Sequence, residues 1–411
     1  MHEKLLLENL IHKVLQEIGK LGLCSELNCQ YRRTYDRLKE FAEKRNMDCF
    51  SSALIESFLA EVERKYIAGQ FGRFRRNHLR RASLLLKDYV ENGAIEWKIY
   101  VVNPKPMPTS QEFLLLYSKY IDSLKLYGKS VNTIQSARNL VRQFLLFLED
   151  NGCSILSMAT REMVTMFFQH LLATYKPTSI RTVASHIRSF LGFAEGGERL
   201  LPVVPSHCAR NKPIIPILSE KEYDALKSVL QSQKIPLRDK TIIQLALRTG
   251  LRAVDIVGMK LKDIDWVNDT ISIIQSKTGN PFKIPLTADV GNLLSSYILN
   301  ERPKADNSYV FLRFLAPFRP LCDHSACYAL VRKAFQQAGI RLGNERKGIH
   351  VIRHSVASRM LSKGVPVTII SSMLGHTNKA STDIYLTTDT EHMRECALDL
   401  SEIPMNCGGL K

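Results

Sequence analysis

The chain has 411 residues, 45% of them hydrophobic and 24% charged, an ordinary composition for two or three domains that each bury a core. Its 57 Lys plus Arg against 40 Asp plus Glu leave a formal net charge of +17, which favours a polyanionic partner, nucleic acid first. No apolar run approaches the roughly 20 residues of a membrane span, and nine scattered cysteines without a CxxC pair argue against a disulfide scaffold or a cysteine zinc site.

At the amino terminus, Leu7, Leu10, Ile11, Val14, Ile18 and Leu21 recur at helical period among frequent charges. This is the pattern of an amphipathic helix rather than of a signal peptide, so a cytoplasmic protein is expected. Further helical patterns at 27–45, 52–67 and 73–92 make residues 1–100 a helical N-terminal domain. Within it, GRFRRNHLRR carries Arg73, Arg75, Arg76, Arg80 and Arg81, either a solvated face or a strip that contacts DNA phosphates. The segment WKIYVVNPKPMPTS, with three prolines, reads as an extended linker. Helical patterns at 111–126, 131–151, 161–175 and 179–195 then define a second helical domain, 108–198.

A second linker, LPVVPSHCARNKPIIPI, holds four prolines. After it, Ser219 and Glu222 form a capping box that opens a third domain, 213–400, followed by a tail at 401–411. This domain mixes element types. Helical patterns at 220–231, 237–248, 288–299, 326–338, 349–362 and 367–374 surround TISIIQSKTGNPFKIPL, in which two β-rich runs flank turn residues and predict a hairpin. The fold expected is mainly α with a small β-hairpin or sheet in the C-terminal domain, an α+β arrangement.

The stretch HVIRHSVASRM puts His350, Arg353 and His354 along one side of a helix. A zinc protease would need HExxH, with a glutamate where Val351 stands, and Arg353 would repel the metal. A core helix accounts for Val351, Val356 and Met360 but leaves three basic groups on one strip without an acidic partner nearby in sequence. A phosphate accounts for them: a guanidinium pairs two N–H donors with two phosphate oxygens, and an imidazole exchanges a proton near pH 7. One arginine cannot both hold a phosphodiester and cover the charge of its transition state. TGLRAVDIVGMK supplies a second, Arg252, at a helix start after a glycine break, with Asp255 three residues on to hold the helix or orient Arg252. Downstream, His376 follows a helix-ending glycine and Tyr385 stands nine residues later. A phenol, with a reference pKa near 10, needs neighbouring cations to attack phosphorus.

Taken together, Arg252 in TGLR, the HxxR pair His350 and Arg353, LGH ending in His376, and Tyr385 resemble the tyrosine recombinase (phage integrase) family in order and approximate spacing. The resemblance spans about residues 111–400. It implies a helical core-binding domain over 108–198 and a catalytic domain over 213–400. Within that domain Arg252 and Arg353 would clamp the scissile phosphate and Tyr385 would be the nucleophile that forms a 3′-phosphotyrosine. Lys277, at the hairpin tip in QSKTGNPF, would be the general acid, ahead of Lys260, Lys262 and Lys283. His350 would be the proton-transfer partner and His376 a second hydrogen-bond donor, with His354 and Ser355 of the RHS run mainly structural. A homo-tetramer on double-stranded DNA, of the mobile-element integrase type, is the assembly implied.

One departure is mild: the family commonly has Glu where Asp255 stands. Neither a metal nor ATP is expected, since there is no carboxylate cluster, no GxxxxGK[ST] loop, and a covalent phosphotyrosine conserves the energy of the broken bond. A type IB topoisomerase-like enzyme and a non-cleaving DNA-binding protein of the same fold are the alternatives. The separate helical domain speaks against the first, and the intact Arg252, Lys277, Arg353 and Tyr385 speak against the second. Residues 1–100 have no counterpart in the resemblance, and the tail could dock on a neighbouring subunit or on its own domain.

Overall fold

The computed structural model describes residues 6–95, 97–98, 100, 105–206, 215–321, 324–375 and 382–388. Among them the chain is mainly helical, with one three-stranded antiparallel sheet. It divides into two compact units, residues 1–100 with 213–411, and residues 101–212. No helix among the described residues is long and apolar enough to cross a membrane.

In the first unit, helices α1 (Leu7–Lys20), α2 (Ser25–Glu43), α3 (Ser52–Ile67) and α4 (Arg73–Asn92) bury the stripe that the apolar period selects. Leu7, Leu10, Ile11, Val14 and Ile18 of α1 close on Tyr35, Leu38, Leu54, Phe58, Leu79 and Leu86. Ser51 caps α3 by accepting the N–H of Leu54 at 3.1 Å. These helices share their unit with the C-terminal segment, and the loop around 316–319 makes the join. Ala316 packs on the N-terminal core, Phe318 touches the backbone face of Gly22, and Arg319 donates to the Trp97 carbonyl.

The second unit is built from α5 (Gln111–Leu126), α6 (Val131–Asp150), α7 (Arg161–Leu172) and α8 (Pro177–Phe193) around Phe144, Phe167 and Phe190. Ser110, Ser130 and Thr160 cap the first three through their side-chain oxygens. Helix α8 starts two residues before the apolar pattern does, because Pro177 is preorganised for the first helical turn.

The remainder of the first unit positions the site. The capping box forms in both directions at the start of α9 (Glu220–Gln231): Ser219 Oγ accepts from Glu222 N at 3.3 Å and Glu222 Oε2 accepts from Ser219 N at 2.8 Å. Helix α10 (Leu237–Thr249) ends at Gly250, and the short α11 (Ala253–Val257) begins after Arg252. Strands β2 (Thr270–Ile274) and β3 (Pro281–Pro285) form the expected hairpin, with Ile271 opposite Ile284 and Ile273 opposite Phe282. A two-residue strand, β1 (Ile264–Asp265), adds to the other edge of β2. It is too short to show an alternation, so no sequence pattern announces it.

Helices α12 (Ala288–Ser296) and α13 (His324–Gln337) precede α14 (Ile349–Ser362) in the chain, and α15 (Val367–Met373) follows it. Helix α14 is buried nearly all round, with Val351, Ile352, Arg353, Ser355, Val356, Ala357 and Leu361 inaccessible. It packs against α10, α13, α15 and a short helical turn, Asp383–Thr388.

Gly250 has φ 63°, and a Cβ there would meet Leu374 Cδ2 at 2.8 Å. Gly93, at the end of α4, has φ 69° and open space around it. The left-handed backbone alone costs a residue with a Cβ about 1–2 kcal/mol, and overpacking adds about 1–3 kcal/mol. In chemical denaturation Gly250→Ala is expected to lose clearly more stability than Gly93→Ala. Equal losses would mean that Leu374 moves aside freely.

Candidate active site

The site is organised by backbone carbonyls at the ends of two helices. Arg353, 4% exposed, lies in the middle of α14. Its Nη1 donates to Gly250 O, at the end of α10, at 2.6 Å, and its Nη2 donates to Leu374 O, at the end of α15, at 2.8 Å. Arg252 Nη2 donates to Gly375 O at 3.2 Å and its Nη1 to Gln275 Oε1 at 3.1 Å. Helix C-termini carry the negative end of the helix dipole and orphaned carbonyls, so they suit cations. Both TGLR and LGH thereby gain a local reason: a left-handed glycine ends each helix, and the carbonyls around it receive a guanidinium.

A buried arginine, Arg353, and a half-buried one, Arg252, lie near a single buried carboxylate. Asp255 Oδ2 stands 3.9 Å from Arg252 Nη1, while its Oδ1 accepts the N–H of Ser276 at 2.8 Å. Asp255 therefore orients Arg252 and also ties α11 to the turn that follows β2. Burial, with repulsion from Arg252, lowers the Arg353 pKa to about 10, so the guanidinium keeps its charge at neutral pH.

Gln275 is nearly inaccessible, and its Oε1 accepts from both Arg252 and Thr278 Oγ1, the latter at 2.9 Å. A Cβ on Gly375 would fall 1.9–2.4 Å from the Gln275 amide, so only glycine leaves room for it. Gln275 stands two residues before Lys277 and carries no motif of its own. Its signal was a polar residue at an inward position of an otherwise alternating strand end.

Tyr385 is 2% exposed and sits in the helical turn Asp383–Thr388, among Ile215, Ala357, Leu361, Ile370 and Leu374. Its hydroxyl lies 3.2 Å from His354 Nδ1 and within the field of the Arg353 guanidinium. Burial raises the phenol's pKa, and the charges of Arg353 and Arg252 oppose that shift. Burial, assisted by His350, Arg353 and Arg346, pulls His354 down to about 4, so its imidazole is neutral at pH 7.

The structure thus brings Arg252, Arg353 and Tyr385 together, with Asp255, Gln275 and His354 around them. Lys277 is exposed on the turn between β2 and β3, next to the Ser276 that Asp255 holds. His350 is exposed near the start of α14, its ring 6.4 Å from that of His354. His376 lies outside the described residues. In the N-terminal helices the arginine strip divides. Arg76 is held by Glu63 at 2.6–2.7 Å and Arg81 stacks on Trp97 at 3.7 Å, whereas Arg73 and Arg75 are exposed and Arg80 is half-buried.

Residues 216–392 match the model of the phage integrase family, and residues 118–196 match that of the phage integrase N-terminal SAM-like domain. A putative integrase/recombinase of Sinorhizobium fredii, y4rA, is 32% identical over 298 residues, covering 70% of each chain. Among solved structures, the XerH site-specific recombinase in a post-cleavage complex with difH DNA matches with TM-score 0.56. Its identity is 16%, over 72% of this chain and 98% of that one. A lambda integrase tetramer bound to a Holliday junction matches with TM-score 0.53 at 19% identity, over 77% of this chain and 88% of that one. At such identities the two structures establish a shared fold.

His354 supplies a pH test of the packing. Folding holds it neutral down to about pH 4, while the unfolded chain binds its proton near pH 6.5. Stability is therefore lost progressively as pH falls from about 6.5 towards 4. Thermal melts across this window should show a shallower decline for His354→Asn than for the parent. Parallel declines would mean that the folded imidazole titrates normally.

Proposed function

We propose, from the premise that the chain belongs to the phage integrase family of tyrosine recombinases, enzymes that cleave and rejoin DNA strands, that it recombines specific DNA sites through a 3′-phosphotyrosine formed by Tyr385. One observation carries this reading: the buried Tyr385 hydroxyl meets α14 at His354, the residue after Arg353, in the same pocket where Arg353 and Arg252 are anchored on the ends of α10 and α15. A phosphodiester entering beside two oriented guanidiniums finds its negative charge matched, and the match improves as charge builds on the non-bridging oxygens. Tyr385 Oη gives up its proton to His350, the proton-transfer partner, and attacks phosphorus; the P–O5′ bond breaks, and the departing oxygen takes a proton. Lys277 serves as its donor, because the turn that carries it is tethered through Ser276 and Asp255 to the helix following Arg252. His350 assists proton transfer from the exposed start of α14, and His376 adds a donor to the phosphate.

The phosphotyrosine keeps the energy of the broken ester, so resealing by a 5′ hydroxyl requires neither ATP nor a metal ion. A tetramer on DNA in the cytoplasm is the assembly proposed, by analogy with the lambda integrase complex. Residues 1–100 add further duplex contacts through Arg73 and Arg75, the latter lining a cleft of about 390 Å³ with Arg37, Lys44, Arg45, Lys65, Glu40 and Glu61.

Tyr385→Phe should abolish covalent protein–DNA adducts and leave DNA binding nearly intact; an adduct persisting in this variant would move the nucleophile elsewhere. Arg252→Ala or Arg353→Ala should slow cleavage about 10²–10³-fold with far smaller losses in binding, measured on one duplex by single-turnover cleavage and gel shift. Equal losses would reduce both to phosphate anchors. For the N-terminal contacts, replacing Arg73 and Arg75 together by Ala should lower the magnitude of the log Kd against log salt slope by about 2; an unchanged slope would remove them from the interface.

A further inference from the structure

We infer that His354 is a positioning residue for Tyr385: its bare Nδ1 accepts the phenolic proton in a hydrogen bond and so fixes the direction of the oxygen lone pairs that attack. This rests on the reading of Tyr385 as nucleophile. The assignment follows from donor and acceptor accounting around one buried oxygen. Tyr385 is 2% exposed, and a buried phenol needs partners. An arginine has only donors, so the positive charge of Arg353 beside the hydroxyl favours oxygen lone pairs turned towards it and the proton turned to an acceptor elsewhere. His354 Nδ1, 3.2 Å away, accepts it. That fixes the ring with hydrogen on Nε2 and none on Nδ1, and the neutrality of the imidazole keeps the acceptor available.

Geometry around the ring supports a directional role. The His354 and Tyr385 rings are tilted by 55° with centroids 5.6 Å apart, so the contact runs edge to hydroxyl rather than face to face. The Tyr385 backbone N–H donates to Thr382 O at 2.9 Å, and the ring body is wedged among Ala357, Leu361 and Ile370. With backbone and ring fixed, the remaining freedom is rotation of the hydroxyl, and Nδ1 removes it. The remaining lone-pair density then points to the side of Arg353, where the phosphate would lie. His350, exposed and a helical turn away, keeps its separate place in proton transfer. The role is positioning: the phenolic proton released as Oη attacks passes on to His350, which is exposed at the start of α14.

Two substitutions separate a directional acceptor from a space filler. Asn offers Oδ1 about where Nδ1 lies but is smaller, whereas Phe fills the volume and accepts nothing. On a suicide duplex that traps the adduct, His354→Phe should lose cleavage about tenfold to a hundredfold with DNA binding unchanged, and His354→Asn should recover most of the rate. The reverse order, Phe near the parent and Asn impaired, would overturn the assignment in favour of packing, as would equal loss in both variants. Nitrogen NMR on the unsubstituted, histidine-labelled protein gives a reading independent of any variant's folding. A hydrogen-bonded, unprotonated Nδ1 at His354 is expected, and a protonated Nδ1 would overturn the assignment. Tyr385→Phe, assayed in parallel, distinguishes the two levels: an adduct there means the nucleophile itself is misassigned, whatever the His354 variants do.

Discussion

Two guanidiniums, a half-buried Arg252 and a buried Arg353, sit beside one buried carboxylate, and holding them there shapes the elements that surround them. Removing a cation from water is costly unless donors are satisfied and charge is offset. The fold meets that cost with oxygen atoms that are only partly negative: carbonyls of Gly250, Leu374 and Gly375 and the amide oxygen of Gln275. Full neutralisation by carboxylates would leave nothing for a phosphate to gain. Partial compensation orients both arginines while preserving the attraction for an anion, the condition for stabilising charge that develops during reaction.

Several sequence features that look unrelated serve this arrangement. Glycines 250 and 375 end helices in the left-handed region and so present carbonyls inward, and each is also a point of close approach, to Leu374 and to Gln275 respectively. Asp255 and Gln275 couple Arg252 to the hairpin, so the arginine and the turn bearing Lys277 share their supports. Ser355, next to the RHS histidine, accepts the N–H of Leu218 at 2.7 Å and fixes the entry to α9 against α14. Helix α14 therefore carries a guanidinium, an imidazole and a structural hydroxyl on adjacent residues, each directed to a different neighbour.

Much of this was legible in the sequence wherever a local pattern carried it. Apolar period identified the helices, alternation and turn residues identified the hairpin, and the TGLR, HxxR and LGH words brought out the arginines. What stayed hidden has physical reasons. Backbone carbonyls have no residue type, so the oxygens that hold Arg353 leave no signature. His350 and His354 are four apart on one face and look equivalent. Which of them meets Tyr385 depends on where the turn Asp383–Thr388 crosses α14, a tertiary fact. Loop contacts from Ala316 to Arg319 decide that the N-terminal helices share a unit with the C-terminal segment, and loops have no period to read.

In the proposed reaction a phenol poised beside paired guanidiniums takes over a DNA phosphate from its 5′ oxygen. Trapping the protein on a nicked duplex carrying its own recombination site, digesting the adduct and sequencing the DNA-bearing peptide by mass spectrometry tests it most directly. The nucleotide is expected on the peptide containing Tyr385, attached through its 3′ phosphate, with a free 5′ hydroxyl on the released strand. Attachment at any other residue, or through a 5′ phosphate, would contradict it.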